Sequence, residues 1–375
     1  MAGIRTFAVT IASALAATAM AASAAQAGTY FAPTGPWNAP IAASPSLDPN
    51  SAAIASNVAS TVATKIQSGT YPYINTSSYS TPVYVVGAST PKQPLKMDQN
   101  GAQNTPLINA INANGGVPFP PNAQPAPGTD GAIVVYDRDN HVLYDFWHAS
   151  SPQMNAPGCV LLPWKGNRTC YLDSKWHSDW GGIMDNVDTD PGFFSVNSWP
   201  GLTGTQGYNW GGSATSLPYL AGLITFDDLR SGVIDHALAG SFWNSCASYF
   251  MAPAQRRDGT DTAANCLPEG AKLQLDPTYD VNADSNPPIT KAIERAAQKY
   301  GIINRDNAGG SFTFSGQDPQ TEPSNPYTSG PGVGGVDNGG HGFFGGLAPW
   351  QLFGNFPWSR LRVIASPHCT AAPCL

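Results

Sequence analysis

The side chains best suited to chemistry are concentrated in one short segment of the chain. Seven consecutive residues include Lys175, His177 and Asp179, which supply a cation, a base and a carboxylate. Trp176 and Trp180 add two indole rings to the same segment. Burying so many polar groups without partners would be costly, so the segment is expected to line a surface or a cleft. The alternative is a loop whose two tryptophans close the edge of a β-sandwich.

Two further residues are candidates for acid–base chemistry. Asp145 lies in a strand-like segment in which it shares a face with Trp147, and an acid beside an indole suits a glycan-binding cleft. The alternative is an aspartate on the solvent side of an edge strand. His236 shares a face with Ile234 and Leu238, which predicts burial. It is either a general base whose pKa is tuned by burial or an ordinary core histidine.

The remaining charged candidates lie in loops or turns. Arg257 and Asp258 suit either a hydroxyl-rich or carboxylate ligand or plain solvation. Only three glutamates occur, with Glu269 expected in a turn and Glu294 on a solvated helix face, so aspartate must supply most carboxylate chemistry. The run Asp185–Asp190 spaces oxygen ligands but lacks the glycine and distal glutamate of an EF-hand. We therefore expect no cofactor, with calcium as the alternative.

Composition and missing motifs exclude several functional classes. Charged residues make up 11% of the chain, the formal net charge is −7, and no basic run occurs, so nucleic acid is not an expected partner. The scarcity of cations also disfavours a strongly polyanionic substrate. A GxSxG elbow, an HExxH motif, a Walker A loop and a Rossmann fingerprint are all missing.

The first 27 residues have the pattern of a secretory signal peptide. Arg5 is the only charge in Met1–Ala27, an apolar run covers Phe7–Ala22, and small residues precede Gly28. This pattern predicts a secreted, extracellular protein. The run is too short for a membrane anchor, and no later segment reaches about 18 apolar residues, so we expect no integral membrane contact.

Six cysteines follow the signal segment, an even number that suits disulfides in an oxidising compartment. A metal site is the alternative, although no CxxC pair and no zinc-finger spacing occur. Pairing nearest neighbours predicts the bonds Cys159–Cys170, Cys246–Cys266 and Cys369–Cys374.

The secondary-structure pattern indicates more strand than helix. Apolar residues at helical spacing predict helices over Pro49–Gln67 and Pro288–Tyr300. Ala132–Tyr136 and Val142–Trp147 predict a β-hairpin, and Asn100–Gly128 is expected to be a surface loop. Many short strands with dense turns predict one domain over residues 28–375. We expect a single large, jelly-roll-like β-sandwich with two or three peripheral helices.

Five segments of the mature chain form a recognisable set: Trp37–Ile41, Gly131–Trp147, Gly222–Leu238, Pro268–Ala271 and Phe356–Ser359. Together they resemble a group of secreted actinobacterial proteins. The resemblance covers most of the mature chain and implies export and a shared single fold, but it implies no activity.

These observations together predict a secreted, monomeric, carbohydrate-active protein whose partner is an extracellular, mainly neutral polysaccharide. The first hypothesis is a glycoside hydrolase in which Trp176, Trp180 and Trp210 stack on sugars. Proton transfer would come from Asp145, His177, Asp179 and His236. One alternative is a polysaccharide lyase with a His or Tyr base, in which Lys175 or Arg257 neutralises a uronate. The other is a non-catalytic glycan-binding or cell-surface module that uses the same aromatic side chains.

Overall fold

The computed structural model describes residues 30–98, 104–155, 171 and 173–375. The expected signal peptide and the expected Cys159–Cys170 bond lie outside these residues. The other two expected disulfides, Cys246–Cys266 and Cys369–Cys374, are present. Two disulfides are compatible with an extracellular protein.

The described residues form four α-helices, α1 Ser51–Gln67, α2 Asn104–Ala113, α3 Phe226–Ser231 and α4 Pro288–Lys299. Helix α1 confirms the expected periodicity, because Ile54, Val58 and Val62 are all buried on one face. Helix α2 corrects the expected loop over Asn100–Gly128. Only three of its apolar residues, Leu107, Ala110 and Ile111, are buried, and the surrounding Asn, Pro and Gly obscure this short pattern in the sequence.

The same residues form fourteen strands. Their bounds are β1 Tyr73–Asn75, β2 Val83–Val86, β3 Leu95–Met97, β4 Ile133–Asp137, β5 Val142–Trp147, β6 Trp176–Ser178, β7 Trp180–Met184, β8 Leu238–Trp243, β9 Phe250–Met251, β10 Lys272–Leu275, β11 Ile302–Ala308, β12 Thr313–Ser315, β13 Leu361–Val363 and β14 His368–Cys369. The expected hairpin is confirmed as the antiparallel pair β4–β5.

The strands form two larger sheets and two small ones. The larger sheets have the orders β1-β12-β8-β11-β10-β13 and β2-β4-β5-β7, and the small ones pair β9 with β14 and β3 with β6. Both larger sheets are mixed, since β1–β12, β8–β11 and β2–β4 are parallel pairs. The expected β-rich class is therefore confirmed, whereas a jelly-roll-like sandwich, in which strands are antiparallel, stays a prediction.

Two hydrophobic clusters cover opposite faces of the six-stranded sheet at one end. Ala239 and Ile303, which pair across β8 and β11, belong to the cluster that also contains the β4–β5 hairpin. Their neighbours Leu238 and Ile302 belong to the cluster that contains α1 and α4. Both faces are apolar here, as a sheet covered on both sides requires. Further along the same strands, one of the two faces becomes polar, and this change creates the site.

Candidate functional site

A row of polar side chains crosses four adjacent strands of the six-stranded sheet. Tyr73 of β1 pairs with Thr313 of β12, Thr313 pairs with Ser241 of β8, and Ser241 pairs with Asp306 of β11. Directly opposed residues lie on the same face of a sheet, so the four side chains form one continuous polar strip. The apolar residues Phe242 and Phe314 lie on the other face, in the core.

A β-bulge brings Asp306 into this row. The register between β8 and β11 shifts between Asn304 and Asp306, which leaves Arg305 without a partner residue. Because side chains alternate along a strand, an unbulged β11 would place residue 305 in the row instead. The guanidinium of the buried Arg305 donates hydrogen bonds to the Tyr219 carbonyl oxygen (2.8 Å) and to Ser315 Oγ (2.7 Å).

The polar row forms the floor of a cleft of about 410 Å³. Tyr79, Asp130 and Tyr219 also line the cleft, so its lining includes three tyrosines and the carboxyl groups of Asp130 and Asp306. Asn75 Oδ1 and Ser311 Oγ line it as well and have no hydrogen-bond partner within the described part of the chain, although both atoms are buried. Buried polar atoms normally have a partner, so these two atoms are exceptions in the cleft lining.

The carboxyl group of Asp306 lies close to two others. Oxygen atoms of Asp258, Glu269 and Asp306 lie within 4.8 Å of one another. Glu269 is fully buried; its Oε2 accepts a hydrogen bond from the Asp258 backbone N–H (3.0 Å), while its Oε1 has no partner among the described residues. Three negative charges cannot be held this closely without protons or a counter-ion.

The proton is held chiefly by Glu269. Burial first, and then the hydrogen bond and negative charge of Asp258, raise the pKa of Glu269 to about 9. Burial and the charge of Asp258 also raise the pKa of Asp306 to about 7, against the lowering effect of the Arg305 guanidinium. The charge of Asp130 adds to this increase in the pKa of Asp306. Asp306 is therefore a carboxyl group that can hold and release a proton near neutral pH.

The same three residues also make a donor set for a hard divalent cation. Carboxylate oxygens are the ligands that calcium and magnesium prefer, and Asp258, Glu269 and Asp306 each offer one. Calcium binding was the alternative expected for the run Asp185–Asp190. In the structure the carboxylates of this run have separate partners. Asp188 pairs with His141 (2.6 Å), and the buried Asp190 accepts the Gly192 N–H (2.7 Å).

We expect Glu269→Gln to reduce the dependence of stability on pH. The raised pKa of Glu269 stabilises the fold fully below about pH 4, the unfolded value, and this contribution is lost as pH rises toward 9. Thermal denaturation between pH 5 and pH 9 should show a falling Tm for the wild type and a smaller fall for the variant. Glu322→Gln, in a surface loop, is the matched control. An unchanged slope in Glu269→Gln would contradict a buried, protonated Glu269.

Asp145 is fully buried under the cleft. Its Oδ1 accepts the Gly212 N–H (2.7 Å) and its Oδ2 accepts the Tyr219 N–H (2.5 Å). Burial raises the pKa of Asp145 to about 7, although these two hydrogen bonds lower it. Both oxygens are therefore occupied in fixing the segment that carries Tyr219 to the cleft.

His177 and Asp179 have separate partners, although they are neighbours in sequence. The His177 ring lies between Asp98 (3.0 Å from Nδ1) and Asp173 (2.9 Å from Nε2). The hydrogen bond from His177 is the main reason that the pKa of Asp173 is lowered to about 2. Asp179 pairs with His148 (2.7 Å). No hydrogen bond among the described residues joins Asp145, His177 and Asp179 to one another.

His236 forms a fourth, independent group. Its Nε2 lies 3.2 Å from Asp228 Oδ2 and its Nδ1 lies 2.8 Å from the Ala237 carbonyl oxygen. Burial lowers the pKa of His236, but the charge and hydrogen bond of Asp228, together with the Ala237 carbonyl and the charge of Asp235, raise the pKa overall. Asp228 also caps α3 through Thr225, so this pair ties a helix start to the loop before β8. The four expected acid–base residues thus lie in four distinct hydrogen-bonded groups.

The expected sugar-binding tryptophans differ in exposure. Trp176 and Trp210 are 3% and 2% exposed, and Trp176 stacks on Phe119 with 3.8 Å between ring centroids. Their faces are therefore covered by the core. Trp180 is partly exposed, and the Arg256 guanidinium lies over its ring at 5.3 Å. Lys175 is exposed.

Arg257 and Asp258 separate in the structure, although they are adjacent in sequence. Arg257 is partly buried, and its Nε has no hydrogen-bond partner within the described ranges. Asp258 joins the carboxyl cluster. Glu269 lies in a turn, as expected, and is fully buried. The expectation that Glu294 lies on a solvated helix face was wrong, since Glu294 is fully buried. Glu294 accepts a hydrogen bond from Asn286 Nδ2 (2.7 Å), and burial raises its pKa to about 8.

The residues that line the cleft carry one sequence signal. From Ser311 to Ser315 the chain alternates strictly between hydroxyl and phenyl side chains, as a strand with one polar and one apolar face requires. Strand β1 has a similar alternation, because the buried Ile74 lies between the polar residues Tyr73 and Asn75. No local pattern links these strands to Asp130, Asp258 or Glu269, which tertiary structure brings to the cleft.

No family model, curated protein or solved structure matches this chain. Among the helices described, none is both long and apolar enough to cross a membrane. The argument for function therefore depends on the cleft itself.

Proposed function

We propose that the cleft over the six-stranded sheet hydrolyses a mainly neutral polysaccharide. The observation that carries the proposal is the combination of Asp130 and Asp306 with three tyrosine rings and a row of hydroxyl groups in one cleft. Glycosidases typically use two carboxyl groups beside the scissile bond. The aromatic rings and polar side chains provide the surfaces that sugar rings and hydroxyls need.

In this proposal Asp306 is the general acid. Its pKa, raised to about 7 by burial and by the charge of Asp258, keeps it protonated below neutral pH. It would donate that proton to the glycosidic oxygen as the bond to the sugar breaks. Asp130 is the second carboxyl group, which acts either on water or directly on the sugar carbon. Glu269 does not line the cleft and serves as a positioning residue that sets the charge around Asp306.

The charges of the cleft lining support a lyase less well than a hydrolase. A lyase must neutralise a uronate carboxylate, and the cationic side chain in the cleft lining, Arg305, is 5% exposed and donates to Tyr219 and Ser315. Asp130 and Asp306 would repel a uronate. A glycan-binding module would use the same tyrosines, but it has no need of a carboxyl group with a pKa near 7.

We propose further that the chain is secreted and acts outside the cell as a monomer. We also propose that it consists of a single jelly-roll-like domain. The signal pattern in the sequence and the two disulfides support export.

A polysaccharide panel tests the proposed reaction. The purified protein should release new reducing ends from at least one neutral glycan, without the ultraviolet absorbance of an unsaturated uronate. New ends together with that absorbance would indicate a lyase, and retention on a glycan without cleavage would indicate a binding module. If no glycan is bound or cut, the carbohydrate proposal fails as a whole.

A further inference from the structure

A packed pair of aromatic rings, one exposed and one partly exposed, lies two residues along the chain from the cleft lining. Tyr71 and Trp350 pack with 5.1 Å between ring centroids and an interplanar angle of 42°. Trp350 is 50% exposed, which is unusual for a side chain that buries so much apolar area when it can. We call this pair the aromatic platform.

The platform is joined directly to the polar row. Tyr71 is two residues before Tyr73, so the Cα atoms of these residues are at most about 7 Å apart. The backbone of the platform therefore begins within about 7 Å of the backbone of the cleft lining. Tyr71 precedes Pro72, which favours extended backbone at Tyr71. Pro72 is buried, whereas Tyr71 and Tyr73 are both partly exposed. Strand β1 begins at Tyr73 and is an edge strand of its sheet, so Tyr71 lies just before it at that edge.

Trp350 is held in place rather than loosely attached. It lies in the short 3₁₀ turn Pro349–Gln351, where the Gln351 side chain accepts a hydrogen bond from the Ala348 N–H (2.8 Å). The next residues, Leu352 and Phe353, are fully buried, and Phe353 packs on Phe314 with 4.9 Å between centroids. The core contacts of these neighbouring residues therefore fix the position of the exposed Trp350 indole.

We infer that the aromatic platform is an additional sugar-binding subsite, which stacks on a unit of the same glycan chain beyond those held in the cleft. The inference rests on the proposed function and extends it to the substrate class. A subsite outside the cleft contributes only to substrates long enough to reach it, so the substrate is a polymer rather than a short oligosaccharide. Stacking of aromatic surface favours a neutral sugar ring.

Substitution of Trp350 tests the inference on a glycan that the wild type cuts. We expect Trp350→Ala to lower kcat/KM on the polymer by about three- to tenfold, in line with the strength of single aromatic contacts. The value for the shortest cleaved oligosaccharide should not change. Trp350→Phe should restore part of the loss, and Leu347→Ala, at another exposed apolar residue, is the matched control.

The outcomes separate the platform from the catalytic proposal. Equal losses on polymer and short oligosaccharide, or no loss on either, would overturn the platform while leaving the hydrolase in place. A wild type that cuts no glycan overturns the proposed function, and the inference falls with it.

Discussion

Asp306→Asn is expected to lower the rate of glycan hydrolysis by about 10²–10⁴-fold, the usual contribution of a general acid. Asparagine has the shape of aspartate but cannot transfer the proton. Its amide can still accept the hydrogen bond that the Asn307 N–H donates to Asp306 Oδ1 (2.9 Å), so the bulge in β11 should persist. Initial rates on a cleaved polysaccharide, together with thermal denaturation, measure the two effects separately.

Asp261→Asn is the matched control, because it removes one negative charge from the Cys246–Cys266 loop without touching the cleft. The control should retain wild-type activity. A fully active Asp306→Asn would show that the proton comes from another residue. An inactive variant with a lowered Tm would call for substitution of Asp130, where the same loss of rate is expected.

Asp145→Ala is expected to cost about 3–5 kcal/mol of folding free energy, the second large effect. The change removes two hydrogen bonds to a carboxyl acceptor and leaves the buried N–H groups of Gly212 and Tyr219 without partners. Chemical denaturation should show a lower midpoint. The activity of the fraction that remains folded should fall much less than in Asp306→Asn, because Asp145 does not line the cleft and affects it only through the segment that carries Tyr219.

Asp227→Ala provides the comparison, since Asp227 is exposed and its ion pair within the described ranges is with Arg230 at the surface. Its denaturation midpoint should hardly change. If Asp145→Ala were instead stable and inactive, Asp145 would have the catalytic role that the sequence suggested.

The regular elements with strong periodicity could be predicted from sequence. The apolar spacing in α1 and the β4–β5 hairpin are local signals, and the structure has both. Helix α2 could not be predicted in the same way, because three buried apolar residues, one of them an alanine, are too few in an Asn-rich segment to define a face. The pairing of Cys246 with Cys266 followed from proximity in sequence, since short loops close at low entropic cost.

Most of the candidate site could not be predicted from local sequence patterns. Glu269 looks like an ordinary turn residue in sequence, and its burial beside Asp258 and Asp306 results from the folding of three separate segments. The bulge that places Asp306 in the polar row also has no local signature. By contrast, the polar density around His177 was real, but its groups satisfy one another instead of leaving a reactive side chain free.

The pH dependence of kcat/KM, in the wild type and in Asp258→Asn, tests the central claim most directly. Activity should fall as pH rises through about 7, because Asp306 must be protonated to act as the acid. Removing the charge of Asp258 lowers the pKa of Asp306, so the descending limb should move to lower pH, whereas Asp261→Asn should leave it in place. A limb that lies at the same pH in all three proteins would contradict the assignment of Asp306 as the general acid in this cleft.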